Sequence, residues 1–276
     1  MKSVLLVGAT GLLGNSLKAL LSRSCKVEAV SRQTGFDIRS PSAFRSLKTE
    51  YDAIVNCAAR IDCTSNNLLD SFQTNVQGAI NCAYFAEECN AHLIHISTLS
   101  AYEEPENQIR GYYGISKCTA DQVLLTYSME ASLAVSICRF PALYDTTGRA
   151  RDTQPMLYRM IDQVLSSGEV LLYGSIDPMR NYLHVDDAAI LVSELLEHKK
   201  TGILNCAHPE SLNIQAISEA IGRVINISPH IKWLKEKPDL KTIFIPVECN
   251  VFEGENMHQP RPLECGIKEI IEFGKP

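Results

Sequence analysis

Short apolar runs alternate with longer stretches of helical periodicity through the first half of this chain. An apolar run of about five residues is typical of a buried strand, and apolar residues at every third or fourth position are typical of a helix. Strands are predicted at 3–7, 26–30, 53–57, 92–96 and 134–138, and helices after Gly14, from Ser40-Pro41, at 68–88 and at 112–131. Strands that alternate with helices favour parallel βαβ units. The pattern therefore predicts an α/β fold with a doubly wound parallel sheet.

The second half of the chain has a less regular pattern after Arg139. A helix is predicted near 156–166, a strand near 170–173, a helix at 185–197 and a strand at 203–206. The tail from about Pro229 is predicted to be irregular because prolines interrupt it. We expect one domain at 1–140, completed by about 174–200, and a smaller lobe formed by 141–173 and 201–276.

Composition narrows the possible partners and compartment. With 26 Lys+Arg against 32 Asp+Glu, the net charge is −6, so we expect no nucleic-acid partner. The ten cysteines show no paired metal-binding spacing, and Cys57, Cys82, Cys89, Cys138 and Cys206 fall within or beside predicted strands and helices, as core residues of a reducing compartment do. No apolar run reaches the about 18 residues that a membrane-spanning helix needs. The first predicted strand begins at residue 3, which leaves no room for a signal peptide before it. We expect a cytoplasmic protein without a membrane partner or signal peptide.

The first candidate site is a glycine turn between the first strand and the first helix. Its members are Gly8, Thr10, Gly11, Leu12, Leu13 and Gly14. Glycines let the backbone approach a pyrophosphate, and the N-terminus of a helix offers unpaired N–H groups to an anion. The turn therefore indicates a dinucleotide site. The alternative is that it only packs the helix on the strand.

The second candidate site is the pair Tyr113 and Lys117. Residues four apart lie on one face of a helix, so a phenol and an ammonium are neighbours here. A nearby positive charge favours phenolate, so we predict that Lys117 lowers the pKa of Tyr113 and makes it a general acid or base. The alternative is an amphipathic helix with a lysine that extends to solvent.

Further motifs accompany these two features along almost the whole chain. They are Asn56-Cys57-Ala58-Ala59, Asn75-Val76-Gln77-Gly78, Ser97-Thr98 and Arg180-Asn181-Tyr182-Leu183-His184-Val185-Asp186-Asp187. Together with the glycine turn and the Tyr113/Lys117 pair, they make the chain resemble the short-chain dehydrogenase/reductase family. The last motif is similar to a signature of its extended branch, the nucleotide-sugar epimerases, dehydratases and reductases. The resemblance implies a Rossmann domain with a smaller C-terminal substrate-binding lobe.

The resemblance also implies a role for each matching residue. Tyr113 would exchange a proton with the substrate oxygen, Thr98 would hydrogen-bond that oxygen, and Lys117 would hold the nicotinamide ribose. We choose Thr98 over its neighbouring serines because it lies four residues before Tyr102; the alternative is that it only caps a strand end. Further cofactor contacts are expected from Cys57, Ala58, Ala59, Asn75, Phe140 and Pro141. Asn75 has the alternative role of holding the sheet near the site.

The end of the second predicted strand bears on the choice of cofactor. Ser31 and Arg32 stand there without an acid that would accept from a ribose 2′-hydroxyl, and Arg32 can pair with a 2′-phosphate. Phe36-Asp37-Ile38 is similar to the family's adenine-edge motif, with Asp37 accepting from the adenine amine. We therefore predict NADP as cofactor, with NAD possible. The alternative for Arg32 is a solvated surface charge.

The predicted cofactor bears on the type of reaction. An enzyme that consumes NADPH performs net reduction, whereas an epimerase or dehydratase recycles its bound cofactor, so a preference for NADP favours a reductase. The 4,6-dehydratases of the family place an Asp-Glu pair after the catalytic threonine, whereas Leu99-Ser100 stands here. The segment 93–98 and Arg261-Pro262-Leu263 are similar to dehydrorhamnose reductases. We predict a reductase that transfers hydride to a keto group of a nucleotide-linked sugar. An NAD-dependent nucleotide-sugar epimerase and a non-catalytic dinucleotide sensor are the alternatives.

The substrate half of the site is less well defined by the sequence. Arg180 would clamp a substrate phosphate, and its alternative is a salt bridge to Asp186 or Asp187. Ala142 stands where many nucleotide-sugar enzymes have an asparagine. Related proteins often pair through helices that flank the sheet, so we expect a homodimer.

Overall fold

The computed structural model describes residues 1–102, 111–240, 242, 251–253 and 257–274. Its strands are β1 (Ser3–Val7), β2 (Lys26–Val30), β3 (Ala53–Asn56), β4 (His92–Thr98), β5 (Val135–Phe140), β6 (Ala142–Tyr144), β7 (Glu169–Tyr173), β8 (Met179–Arg180), β9 (Tyr182–His184), β10 (Gly202–Asn205), β11 (Leu212–Asn213) and β12 (His230–Leu234). Its α-helices are α1 (Leu12–Leu21), α2 (Pro41–Phe44), α3 (Leu68–Phe72), α4 (Gly78–Glu88), α5 (Tyr112–Glu130), α6 (Pro155–Ser167), α7 (Val185–His198), α8 (Ile214–Ile225) and α9 (Leu263–Phe273).

Six of these strands form one parallel sheet, in the order β10-β5-β4-β3-β1-β2. The chain winds outward from β1 to β2, then returns past β1 to β3 and continues in the other direction. The carboxyl ends of β1 and β3 therefore flank the point at which the winding reverses, where open α/β sheets bind their ligands. The predicted fold class, a doubly wound parallel sheet, is confirmed.

Helices cover both faces of this sheet because each has one apolar side. On one face, α1 contributes Leu17 and Leu21, which pack with Leu191 and Leu195 of α7 and are all fully buried. The opposite face is covered by α4 and α5, whose buried residues include small side chains such as Ala83. A separate apolar cluster joins α6, α8 and α9. Burial on both faces explains why the strands are almost continuously apolar.

Most of the predicted elements agree with the structure, but the tail does not. The prediction of an irregular tail from Pro229 is wrong, because β12 pairs in parallel with β7 and α9 packs its apolar face into the third cluster. Pairing partners and packing surfaces that lie far away in sequence decide both elements. The parts of the tail at 241, 243–250, 254–256 and 275–276 lie outside the described residues.

Three further differences concern boundaries and an omitted helix. The helix predicted at 68–88 is interrupted by a π-helical turn, Gln73–Gln77, between α3 and α4. The sheet extends beyond residue 200, because β10 pairs with β5 although the sequence placed 201–276 in the smaller lobe. The amphipathic helix α8 was not predicted at all.

The cysteines occupy apolar surroundings for the most part. Cys82, Cys138 and Cys206 are buried, as predicted, while Cys57 and Cys89 are partly exposed. Over the described part of the chain, no helix has the length and apolar character that crossing a membrane requires.

Candidate active site

The glycine turn after β1 is closely packed. Gly8 has a φ of 82°, and a Cβ there would lie 2.6 Å from the nitrogen of Ala58. A Cβ at Gly14 would lie 2.9 Å from the Cα of Ala9. The first turn of α1 has no acidic residue, and Gly11 at its N-cap provides no side-chain cap. The turn therefore packs helix on strand and also presents the uncapped N-terminus of α1, so its two interpretations are compatible.

The end of β2 supplies a hydroxyl and a cation. The Ser31 side chain is buried, and its Oγ has no hydrogen-bond partner among the described residues. Arg32 is exposed in a short 3₁₀ turn, Arg32–Thr34, and makes no ion pair with any carboxylate that the structure describes. A buried hydroxyl without a partner and an unpaired guanidinium fit a 2′-phosphate, which would accept from both.

Asp37, predicted to accept from the adenine amine, already has a strong partner. Its carboxylate accepts from Arg39 Nε at 2.9 Å and from Arg39 Nη2 at 2.7 Å. The bound guanidinium lowers the pKa of Asp37. Arg39 and Arg60 both donate to Asp70, so a row of ion-paired side chains connects the segment after β2 to the loop after β3. The next residue of the motif, Ile38, is buried.

Asn75 connects the loop after β3 to α5. Its Oδ1 accepts from the backbone nitrogen of Arg60 at 2.7 Å, and its Nδ2 donates to the Arg60 carbonyl at 2.9 Å and to Ser116 Oγ at 2.8 Å. These contacts fit the structural interpretation of Asn75. They hold the loop beside Cys57, Ala58 and Ala59, which the sequence assigned to the cofactor.

Thr98 and Tyr113 lie on elements that pack against each other, β4 with the turn that follows it and α5. Thr98 is the last residue of β4, and α5 packs on the 3₁₀ turn Leu99–Ala101 that follows it. Thr98 Oγ1 accepts from the nitrogen of Ser100 at 3.2 Å, so the hydroxyl does cap the turn. Its own proton is still available to donate, because that bond uses only a lone pair.

Lys117 is buried, and its Nζ contacts β4. It lies 3.1 Å from His95 Nε2 and donates to the Ile96 carbonyl at 2.5 Å. Burial lowers the pKa of Lys117 to about 8, while the nearby carboxylate of Asp121 raises it. His95 Nδ1 in turn lies 3.2 Å from Asn56 Nδ2. The sequence predicted neither the contact of Lys117 with His95 nor that of His95 with Asn56, because these contacts depend on how β3, β4 and α5 pack together.

The predicted effect of Lys117 on Tyr113 is wrong in this structure. Burial raises the pKa of Tyr113, since a phenolate loses hydration there, and Asp121 adds to the increase. Spacing on a helix placed the two residues on one face, but it did not reveal that Lys117 Nζ is bound to His95 and Ile96.

A buried ion pair behind the site was also missed. Asp121 Oδ2 accepts from Arg139 Nε at 2.8 Å and from Ser97 Oγ at 2.9 Å. The guanidinium carbon of Arg139 lies 4.2 Å from the centre of the Tyr102 ring, a cation–π distance. The position of Asp121, four residues after Lys117 on the same helix face, was a feature of the sequence that could have indicated a buried carboxylate here. Of the predicted contacts that follow Arg139, Phe140 is buried and Pro141 is half-buried.

A further cation reaches the glycine turn from the loop after β6. Arg149 Nη2 donates to the Thr10 carbonyl at 3.2 Å. The loop is fixed by Asp145, whose carboxylate accepts from the nitrogens of Thr147 and Ala150 at 3.1 and 2.9 Å. No role was predicted for this loop, although Asp followed by Thr-Thr-Gly is typical of a turn in which the aspartate caps the backbone.

Arg180 lies apart from these groups, in the lobe. It is half-buried, donates to the Met179 carbonyl at 2.8 Å and lines a small cavity with Tyr182 and Glu210. Asp187 accepts from Arg261 Nε and from His258 Nε2, both at 2.9 Å. The Asp187 carboxylate thus accepts from two side chains, Arg261 and His258, that the sequence did not predict as its partners.

Comparison with known proteins finds a matching family model and relatives that align along most of this chain. The profile of the NAD dependent epimerase/dehydratase family matches residues 4–214. UDP-glucuronic acid decarboxylase 3 of Arabidopsis thaliana is 23% identical over 86% of this chain and 78% of its own. Methionine adenosyltransferase 2 subunit beta of Bos taurus is 24% identical over 98% of this chain and 87% of its own.

A solved structure has the same fold over the full length. It is the dTDP-4-dehydrorhamnose reductase of Bacillus anthracis in complex with NADP, which superposes with a TM-score of 0.79, at 20% identity and with 100% of both chains covered.

Proposed function

The chain belongs to the NAD dependent epimerase/dehydratase family, and we propose that it is an NADP-dependent reductase that transfers hydride to a keto group of a nucleotide-linked sugar, with Tyr113 as proton donor. The observation that carries this proposal is the end of β2, where, among the residues that the structure describes, the buried Ser31 hydroxyl has no hydrogen-bond partner and the adjacent Arg32 guanidinium makes no ion pair. A site that favours the phosphorylated dinucleotide suits a cofactor consumed in net reduction.

The residues that would hold the cofactor surround the carboxyl edge of the sheet. The N-terminus of α1 would bind the pyrophosphate, and Arg149 above the Thr10 carbonyl adds a cation to the same place. Ser31 and Arg32 would bind the 2′-phosphate. NADPH, when bound, supplies a hydride.

The chain's own groups then act on the carbonyl oxygen. As negative charge develops on that oxygen, Thr98 donates a hydrogen bond through the proton that its cap to Ser100 leaves unused. Tyr113 donates its Oη proton to the same oxygen, and the product is an alcohol. The raised pKa of the half-buried Tyr113 keeps the phenol protonated, as a residue that donates a proton requires.

Arg180 is the proposed contact for the nucleotide half of the substrate. It is partly withdrawn from solvent beside Tyr182 and a small cavity, so a diphosphate that reached it would be bound in a partly dehydrated setting.

The proposal is tested by adding 4-keto nucleotide sugars with different bases and following consumption of NADPH and NADH. Tyr113→Phe should lower kcat by about 10²- to 10⁴-fold, because it removes the general acid but little volume. Tyr112→Phe is the matched control, because the neighbouring ring is exposed and has no assigned role. Undiminished reduction by Tyr113→Phe would contradict the proposed proton donor.

A nucleotide-sugar epimerase is the first alternative, and the Arg180–Asp187 motif favours it. An epimerase returns the hydride to the same substrate, so it consumes no cofactor. Conversion of one sugar into its epimer without loss of NADPH absorbance would replace the reductase proposal with this one.

A non-catalytic dinucleotide sensor is the second alternative. A sensor would bind NADP but turn over no ketone. Tight binding of NADP without reduction or epimerisation of any sugar in the panel would select it.

A further inference from the structure

His95 occupies a position that constrains the proton on its ring. It lies on β4 with 1% of its surface exposed, and its two ring nitrogens face two nitrogen atoms. Nδ1 lies 3.2 Å from Asn56 Nδ2, and Nε2 lies 3.1 Å from Lys117 Nζ. An amide NH₂ and an ammonium are both donors, whereas a neutral imidazole accepts at one nitrogen only. One of the two neighbours must therefore accept.

The orientation of Asn56 determines which neighbour accepts. Its Oδ1 accepts from the backbone nitrogen of Ala58 at 3.1 Å, so its NH₂ must face His95. An amide NH₂ cannot accept, so it donates to His95 Nδ1. Burial holds the pKa of His95 well below its usual range, and the neutral ring therefore carries its one proton on Nε2. That proton points at Lys117.

Lys117 can accept this proton only as a neutral amine. In that form its lone pair accepts from His95 Nε2, and one of its own N–H groups donates to the Ile96 carbonyl at 2.5 Å. We propose that His95, fixed in one tautomer by Asn56, is a positioning residue that stabilises neutral Lys117 and so weakens its hold on a proton. The consequence for the reaction rests on the proposed function, whereas the charge state itself does not.

The other groups that face Lys117 act in both directions. Burial lowers its pKa to about 8, and on its own helix Asp121 raises it, as does Cys57 from the end of β3. Asp121 is itself paired with Arg139, which limits its effect. The bond from His95 adds to the effect of burial. Together they bring proton exchange at Lys117 into the neutral range.

A lysine that titrates near neutrality bears on the proposed reaction, because Lys117 lies one helical turn from Tyr113 on the same face of α5. After Tyr113 has given its proton to the substrate oxygen, the phenolate that remains must be protonated again. A lysine with a lowered pKa would give up a proton more readily than an ordinary lysine, and it would then be the neutral amine that His95 stabilises. It must regain a proton before the next turnover.

The proposal is tested by NMR of the full-length protein without substrate. In protein with ¹⁵N-histidine, the His95 signals, identified by their loss in His95→Gln, should show protonated Nε2 and unprotonated Nδ1. In protein with ¹³C,¹⁵N-lysine, Lys117 should titrate below the surface lysines. In His95→Gln its midpoint should rise by about one pH unit, because the glutamine carbonyl can accept from an ammonium.

His92→Gln is the matched control, since the same substitution is made on the same strand away from Lys117, and it should leave the Lys117 midpoint unchanged. A proton on Nδ1 of wild-type His95, or an unchanged Lys117 midpoint in His95→Gln, would overturn the proposal; if His95→Gln does not fold, the wild-type tautomer decides. If ketone reduction is found, its pH profile should shift with the Lys117 midpoint. If no ketone is reduced while the NMR results hold, the proposed function fails and the charge-state proposal stands.

Discussion

At the end of β2, two adjacent side chains offer a phosphate different kinds of contact. Ser31 contributes a buried hydroxyl with no partner in the described part of the chain, and Arg32 contributes an exposed guanidinium. A 2′-phosphate would bind both, whereas the 2′-hydroxyl of NAD would gain little from the guanidinium. The proposed preference for NADP over NAD therefore rests on these two residues.

Replacing Arg32 should separate the two cofactors. A hydrogen bond to a charged group contributes about 1.5–3 kcal/mol, so Arg32→Ala should weaken binding of NADP by roughly tenfold to a hundredfold. Binding of NAD should change by less than about twofold, because its ribose has no charge to lose. Isothermal titration calorimetry with both dinucleotides measures the difference.

Arg23→Ala is the control for this substitution, because Arg23 is an exposed arginine just beyond the end of α1. It removes the same charge from the whole molecule but from outside the proposed site. If Arg32→Ala weakened the binding of NADP and NAD equally, Arg32 would not contact the 2′-phosphate.

Among the elements, β4, β5 and the residues just before β10 are connected through one buried histidine, His92. Ser136 Oγ donates to the carbonyl of Lys200, so it must accept from His92 Nε2, which lies 2.8 Å away. His92 Nδ1 has no partner in the described residues, and burial lowers the pKa of His92 to about 4. The neutral ring is therefore part of the folded sheet.

This histidine should make the fold sensitive to acid. The unfolded chain binds a proton at His92 below a pKa of about 6.5, but the folded chain does so only near pH 4. The contribution of neutral His92 to the free energy of unfolding is therefore fully present above pH 6.5, and it is lost as the pH falls towards 4. The loss amounts to about 3 kcal/mol. Urea unfolding at pH 7 and pH 4 measures it.

In His92→Gln this particular pH dependence should disappear. The variant should be less stable than wild type at pH 7, and the gap should narrow by about 3 kcal/mol at pH 4. A constant gap across that range would show that His92 titrates alike in both states.

The helix α9 depends on a close contact at Gly266. A Cβ at this position would lie 2.6 Å from Cζ of the buried Tyr144 on β6. Gly266→Ala should therefore cost about 1–3 kcal/mol through overpacking. Gly274→Ala at the end of the same helix is the control, because its nearest neighbours would be ordinary contacts at 3.4 and 3.9 Å. Urea unfolding of both variants compares the two sites.

At the scale of the whole molecule, a set of ion pairs attaches the segment around Arg261 to the helices α7 and α9. Asp187, at the start of α7, accepts from both Arg261 and His258. Arg261 also donates to Glu269 of α9 at 2.8 Å. In the sequence, Arg261-Pro262-Leu263 indicated only a similarity to dehydrorhamnose reductases. In the structure, Arg261 joins the tail to the first turn of α7.

The molecule also leaves apolar side chains exposed on the two helices that cover one face of the sheet. Tyr84 on α4 is 56% exposed and Met129 on α5 is 77% exposed. We expect a homodimer that buries this face. Sedimentation velocity should give the mass of two chains, and Tyr84→Lys should shift the equilibrium towards one. Tyr173→Lys, an exposed tyrosine on β7, should not; a monomer at all concentrations would contradict the expectation.

The sequence determined the architecture because the signals for it are local. The apolar period of each segment decides between strand and helix, and the alternation of segments predicts the parallel sheet. The glycine turn, Thr98, Tyr113 and Lys117 were readable for the same reason, since each motif occupies a short stretch of chain. The family followed from several such motifs in order.

The tertiary structure decided the properties that depend on burial and on partners distant in sequence. The pKa of Tyr113 rises because the phenol is dehydrated, and Lys117 contacts His95 because β4 lies beneath α5. The strand β12 exists because β7 is available to pair with it. A spacing along the chain specifies which side chains can be neighbours, but their charge states and hydrogen bonds follow only from the surroundings in which folding places them.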